Sequence, residues 1–235
     1  MSRIILIDSI RGFSFIPMFI FHIFSTYDLT NNFNTMTSAN PIVSFLGQIR
    51  NVFIILAGIS LSLSALNKKD NTSYYSVRIK RSIQILIHAL LLSVLTKYLF
   101  PGFEIKFGIL HFIGIATILL APIASNNILL LILLLMCFIK IPNINPTIDT
   151  ILGTSVHYNM ADWFPLKTNL PLIISGVLLG NVMFDKTNKA PGPKEQGHKE
   201  SVLEWMGKNS LDLYTGHVVL LILVFYIAKH YFHMY

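Results

Sequence analysis

The stretch that decides the fold is IDSIRGFSFIPMFIFH, residues 7–22, an apolar run that contains three ionisable side chains. Its hydrophobicity predicts the first helix of a membrane protein. Asp8, Arg11 and His22 are costly in such a helix unless they face a protein interior, a partner or a water-filled site. These three residues are therefore the first candidates for a functional site.

The composition of the whole chain agrees with that interpretation. The chain has 235 residues, of which 53% are hydrophobic and 12% are charged, whereas a soluble domain carries about 25% charged residues. We therefore expect an all-α, multi-pass membrane bundle. A net charge of +7 would also fit a nucleic-acid partner, but in a membrane protein the distribution of charge sets orientation instead, and we expect no nucleic acid to bind.

The apolar segments predict about seven transmembrane helices in a single domain that covers residues 1–235. Most of these segments approach the roughly 20 residues that cross a bilayer. The fifth is short and adjoins the fourth across 124–127, which predicts a tight helical hairpin. The segments lie near residues 6–26, 43–66, 80–99, 107–124, 126–141, 168–185 and 209–228.

Basic residues predict the orientation of the chain. The loops at 67–81 and 186–208 each hold five Lys or Arg residues, whereas the loop at 27–42 holds none. Because cytoplasmic loops are enriched in Lys and Arg, we expect the N-terminus in the cytoplasm and the C-terminus outside the cell membrane. The stretch 186–200 is rich in Pro, Gly and charge, which is typical of a flexible loop.

The ionisable residues fall into two layers in this topology. Asp8 and Arg11, three residues apart, share a helix face near the cytoplasm and can pair, either as a structural ion pair or as part of a ligand site. Arg78, Lys80 and Arg81, where the third helix begins, are candidates for binding phosphate. The outer layer contains His22 with Asp28 in the loop behind it, and also Arg50, His111, Asp162, Asp212 and His217.

Histidine supported by a carboxylate can take a proton from an alcohol or an amine near neutral pH, as acyl transfer requires. The same polar layers could instead line the path of a transporter or channel for a proton or small solute, although neither an inverted repeat nor a pair of broken helices is visible in the sequence. We expect no metal, because there is no HExxH motif, there are no paired cysteines and the histidines are scattered.

The order of motifs along the chain resembles the heparan-alpha-glucosaminide N-acetyltransferase catalytic-domain family. The opening IDSIRGFSFIPMFIFHIFSTYDL resembles the start of that family, and FGILHFIGIATIL is the closest match, with GILH opening the fourth helix. Further motifs follow in the same order: IRNVFIILAGISLSLS, VRIKRSIQILIHALLLSVLT, DWFPL and LEWMGKNSLDLYTGHVVLL. After DWFPL the chain departs from the family, since KTNLPLIISG contains Lys167 and lacks the usual Trp.

The resemblance implies transfer of an acyl group, acetyl in the first instance, from cytoplasmic acetyl-CoA or another acyl-CoA to a sugar or other polar acceptor. It implies that His22 is the general base or the acyl-carrying residue, supported by Asp28, and that Arg11 acts near the donor. The remaining residues that it places along the channel are Arg50, His111 and His217. The implied partners are the lipid bilayer, the acyl-CoA and the saccharide, and a homo-oligomer stays open.

Overall fold

The computed structural model describes residues 4–30, 40–68, 70–101, 104–139, 151–152, 162–184 and 199–232. These residues are predominantly helical, and the sheet-like pairing among them is a single bridge between Phe107 and Trp163. The helices are α1 (Ile5–Thr30), α2 (Pro41–Gln48), α3 (Arg50–Leu66), α4 (Asn71–Leu99), α5 (Ile109–Leu120), α6 (Asn127–Met136), α7 (Leu166–Met183), α8 (Val202–Lys208) and α9 (Ser210–Phe232).

The prediction of an all-α membrane bundle is confirmed. Five helical stretches are long and apolar enough to cross a membrane: Ile5–Asp28, Pro41–Leu66, Asn71–Leu99, Leu166–Met183 and Ser210–Tyr231. The predicted fourth and fifth segments are shorter helices, Ile109–Ile123 and Asn127–Met136. The count of seven spans and the cytoplasmic N-terminus stay predictions.

The second span is interrupted at Ile49, where the sequence predicted one continuous segment over 43–66. Its first half, α2, begins at Pro41, and the Asn40 side chain caps it by accepting from the Ile42 amide. At the interruption Ile49 N donates to Leu46 O, and Val52 N donates to Ile49 O, so the bonds span three residues instead of four. Helix α3 therefore restarts with Arg50 as its first residue.

Two further predictions about element boundaries are wrong. The third helix begins at Asn71 and not near residue 80, because its polar first turns lower the hydropathy without preventing helix formation. Within the predicted loop 186–208, residues 202–208 form α8, which Ser201 and Glu204 cap reciprocally. The flexible loop predicted at 186–200 lies outside the described residues except for Lys199 and Glu200.

Helix α4 carries an apolar stripe exposed to its surroundings. The stripe recurs at about four-residue steps, so it follows one face of the helix. In water such a stripe would be unfavourable, but in a bilayer it provides the lipid contact of a span. Its exposed members include Ile79, Ile83, Ile87, Leu90, Leu91, Val94 and Tyr98.

The helices fall into two compact units. The middle unit comprises the described parts of Ile54–Leu90 and Lys106–Lys194. Within it α7 contacts both α5 and α6. Gly58 and Gly176 allow α3 and α7 to pack backbone against backbone, since a Cβ at Gly58 would overlap Ile173 O and a Cβ at Gly176 would overlap Ile55 O. Small residues of this kind let membrane helices approach closely.

The terminal unit comprises the described parts of Ile4–Phe53, Leu91–Ile105 and Glu195–Tyr235. Within it α1 contacts α2, α8 and α9. Gly12 lies against the Leu203 carbonyl and Gly207 lies against the Asp8 carbonyl, so α1 and α8 cross with their backbones in contact. The single domain predicted for residues 1–235 stays a prediction.

Candidate active site

A pair of histidines from the two ends of the chain meets in the terminal unit. His22 Nδ1 on α1 lies 3.0 Å from His217 Nε2 on α9. His217 Nδ1 lies 2.8 Å from the carbonyl oxygen of Leu213, one turn earlier in α9. His217 is buried and His22 is half-buried. The pair is therefore a hydrogen-bonded polar chain inside an apolar part of the protein.

Aromatic rings enclose the two imidazoles. Phe15, Phe19 and His22 lie on one face of α1 because they follow the four- and three-residue steps of a helix. Phe15 and Phe19 meet His217 edge-on, with ring centroids 5.0 and 5.5 Å apart. Tyr214 packs edge-on against both imidazoles, 5.5 Å from His22 and 5.6 Å from His217. Aromatic rings therefore surround much of the histidine pair.

Arg50, the first residue of α3, lies within electrostatic range of His22. The interruption at Ile49 puts this cation at the start of a helix, and Gly47, just before the interruption, packs on the ring of Phe21. Phe21 in turn contacts His22 with ring centroids 5.7 Å apart. The broken second span thus adds a positive charge to the surroundings of His22.

Asp28 has a different place from the one predicted. It lies inside α1 and not in a loop, and it is 2% exposed. His22 and Asp28 are six positions apart, which corresponds to about 9 Å along a helix axis. The His22 ring is hydrogen-bonded to His217 and to the backbone of Met18, and a supporting role for Asp28 stays a prediction.

Asp8 and Arg11 pair as their spacing predicted. Arg11 Nη1 lies 3.4 Å from Asp8 Oδ1, and Asp8 is buried.

Sequence reasoning missed Glu204, a carboxylate with no exposed surface in α8, the helix that crosses α1. Glu204 Oε2 accepts from Ser201 N, and Lys208 lies 3.9 Å from Glu204 Oε1. The Ser-x-x-Glu spacing of a capping box was the signal that could have located it.

His111 and Asp162 meet in the middle unit at the start of α5. Gly108 N donates to His111 Nδ1 at 3.3 Å, and Ile109 N donates to Asp162 Oδ2 at 3.0 Å. The first amides of a helix have no partner within it, so both side chains stabilise this helix end. Phe164 N, which donates to Phe107 O at 2.9 Å, ties the segment of Asp162 to the same place.

Arg78 and Arg81 both lie in α4, within the middle unit. Arg78 is half-buried, whereas Arg81 is exposed and contacts Gln84 at 3.4 Å.

No group of three or more His, Cys, Asp or Glu side chains able to hold a metal ion occurs among the described residues.

The sequence model of the family described as heparan-alpha-glucosaminide N-acetyltransferase, catalytic, matches residues 3–219 of the 235. The chain belongs to this family. A search of curated proteins found no match, and a search of solved structures found none either. Membership, together with the five long apolar helices, indicates a multi-pass membrane acyltransferase, and the family generally uses acetyl-CoA as its donor. The matched range includes both His22 and His217.

Proposed function

We propose that the chain moves an acyl group, acetyl in the first instance, from cytoplasmic acyl-CoA to a sugar or other polar acceptor at or across the cell membrane. The observation that carries this proposal is the His22–His217 contact at 3.0 Å, held in an aromatic enclosure. Intramembrane ionisable residues are costly and usually serve a function. Family membership supplies the reaction class, and the histidine pair supplies a group able to move a proton.

Two routes for the transfer are consistent with this arrangement. In the first, His22 takes the proton from the acceptor hydroxyl or amine while the acceptor attacks the thioester carbonyl carbon, the C–S bond breaks, and the thiolate leaves with that proton. In the second, a nitrogen of His22 attacks the carbonyl carbon, the C–S bond breaks, and an acyl-imidazolium and a thiolate form. The acceptor then attacks the acyl carbon, the bond to the nitrogen breaks, the acceptor proton passes to the thiolate, and neutral His22 is restored.

The other candidate residues take roles on either side of this step. Asp8 and Arg11, one turn apart on α1, are assigned to the donor end. Arg78 and Arg81 are assigned to the phosphates of the donor, since guanidinium groups bind phosphate well. The residues assigned to the path of the acceptor or to support of His22 are Asp28, Arg50, His111, Asp162 and His217.

The first test uses purified protein in proteoliposomes, radiolabelled acetyl-CoA and an added amino sugar. We expect His22→Ala to lower label transfer at least about 100-fold, the contribution typical of a general base, while acetyl-CoA binding and thermal unfolding stay near wild type. Label on the protein before acceptor is added would select the acyl-histidine route.

His88→Ala is the matched control, because His88 lies in α4 and outside the histidine pair. We expect this variant to transfer label like the wild type. Equal losses in His88→Ala and His22→Ala, at equal unfolding midpoints, would remove the special role of His22.

A transporter is the second candidate, and the interruption at Ile49 is the observation that favours it. Discontinuous helices form the binding sites of many transporters, usually as a pair in corresponding halves. The other four candidate spans are continuous over the residues described. Solute flux in proteoliposomes without any acyl donor would favour transport, and its absence alongside label transfer would favour the enzyme.

A further inference from the structure

The hydrogen bonds of His217 constrain which of its nitrogens carries hydrogen. A backbone carbonyl oxygen only accepts, so the contact of 2.8 Å between Leu213 O and His217 Nδ1 requires a hydrogen on Nδ1. A neutral imidazole carries one hydrogen. In neutral His217, Nε2 is therefore an acceptor, and that atom faces His22 Nδ1 at 3.0 Å.

The position of the hydrogen on the His22 ring follows from that of His217. If His217 Nε2 accepts, His22 Nδ1 must donate, and neutral His22 then has a lone pair on Nε2. The alternative is a His217 cation that donates to His22. Phe15, Phe19 and Tyr214 pack around that ring. A buried charge without a partner of opposite sign is costly, so the neutral chain is favoured.

We infer that His217 is a positioning residue that holds His22 in the tautomer with hydrogen on Nδ1 and leaves Nε2 of His22 as the reacting atom. This role differs from the acceptor-path role given above, because His217 acts through His22. The chemical half of the inference rests on the proposed function, whereas the tautomer is a property of the protein alone.

The consequence for the reaction is specific. In the base route, His22 Nε2 takes the acceptor proton, and the resulting imidazolium keeps its Nδ1–H bonded to His217 Nε2. In the covalent route, Nε2 forms the bond to the acyl carbon as the thiolate leaves. In both routes the hydrogen bonds from Leu213 through His217 to His22 stay in place, so no proton has to pass beyond His22.

The first experiment is a nitrogen NMR spectrum of the full-length protein in detergent micelles, with ¹⁵N-labelled histidine. The signals of His22 are assigned by their loss in His22→Gln. We expect His22 to show a protonated Nδ1 and an unprotonated Nε2. The opposite pattern, with Nε2 protonated and Nδ1 bare, would overturn the inference whether or not the protein transfers acyl groups.

The second experiment compares two substitutions of His217. Glutamine can present a side-chain oxygen toward His22 Nδ1, whereas methionine has only a weak acceptor. We expect His217→Gln to keep the tautomer and to retain kcat within about tenfold of wild type, and His217→Met to lose the single tautomer and to lower kcat about 100-fold. The KM for acetyl-CoA should change little in either variant, because His217 is not assigned to the donor.

These outcomes separate the two proposals. Equal kcat in wild type and His217→Met would overturn the positioning role while leaving the acyltransferase intact. The expected tautomer in a protein that transfers no label would uphold the assignment of hydrogens and reject the proposed function. If His217→Met does not fold, the wild-type spectrum and His217→Gln still decide the tautomer.

Discussion

Gly207 shows how little room single residues have at the crossing of α1 and α8. A Cβ at this position would overlap the Asp8 carbonyl oxygen, and one at Gly12 would overlap the Leu203 carbonyl oxygen. Backbone atoms cannot move aside as a flexible side chain can. The approach of the two helices therefore depends on hydrogen atoms at these two positions.

We predict that Gly207→Ala destabilises the protein by about 1–3 kcal/mol, the usual cost of overpacking. The measurement is the midpoint of thermal unfolding in detergent. Gly216→Ala is the matched control, because a Cβ there would meet nothing within 4 Å. Alanine is the better helix former by up to about 1 kcal/mol, so the control should be neutral or slightly more stable. Equal destabilisation in both variants would contradict the close crossing.

Sequence reasoning located residues of the candidate site better than it located their partners. The spacing of Asp8 and Arg11 predicted their contact because neighbours on one helix are fixed by helix geometry. His22 and His217 were each selected for lying in apolar helices, but 195 positions separate them, and no local pattern predicts a contact across that distance. His111 was selected for a ligand, whereas the structure also gives it a role at the start of α5.

At the scale of elements, Asn181 joins three parts of the middle unit. Its side chain is 6% exposed. The amide nitrogen donates to Ala124 O at 2.9 Å and to Asn127 Oδ1 at 2.7 Å, and the amide oxygen accepts from Ser62 Oγ at 2.6 Å. The bonds connect α7 to α3 and to the turn between α5 and α6. That turn is the one the sequence predicted to be tight.

We predict that Asn181→Leu lowers stability by about 1–3 kcal/mol, because buried groups that lose a hydrogen-bond partner pay for desolvation. Asn67→Ala provides the comparison, since Asn67 is exposed and its side chain donates to Leu63 O within its own helix. A surface change of that kind usually stays within about 0.5 kcal/mol. Asn181→Leu should unfold at a lower temperature in detergent than Asn67→Ala. Equal unfolding midpoints would mean that the hydrogen bonds of Asn181 make no net contribution to stability.

Hydropathy predicted that these elements exist but misplaced some of their ends. Hydropathy detects only the apolar part of a helix. It therefore missed the polar first turns of α4 and the short helix α8. The interruption at Ile49 follows Gly47 within an otherwise apolar run, and nothing in that composition distinguishes it from a continuous span. Hydrogen-bond geometry reveals the break because it records which carbonyl each amide meets.

For the whole molecule, the distribution of Lys and Arg predicts which side of the membrane each end faces. In a Cys137→Ser background, we predict that Lys68→Cys reacts with a membrane-impermeant maleimide only from the cytoplasmic side. Tyr231→Cys, near the C-terminus, should react only from the outside. Both sites are exposed. Labelling in the reverse pattern would show that the positive-inside rule misassigns this chain.

The pairing of the first and last helices has a consequence for how the protein is made. Synthesis proceeds from the N-terminus, so His22 enters the membrane long before the ribosome has translated His217. Until α9 is inserted, the ring of His22 lacks the partner that it has in the finished protein. Any nascent chain that stops before α9 carries the motif of the first helix without the pair. The histidine pair therefore forms only after α9 has been inserted.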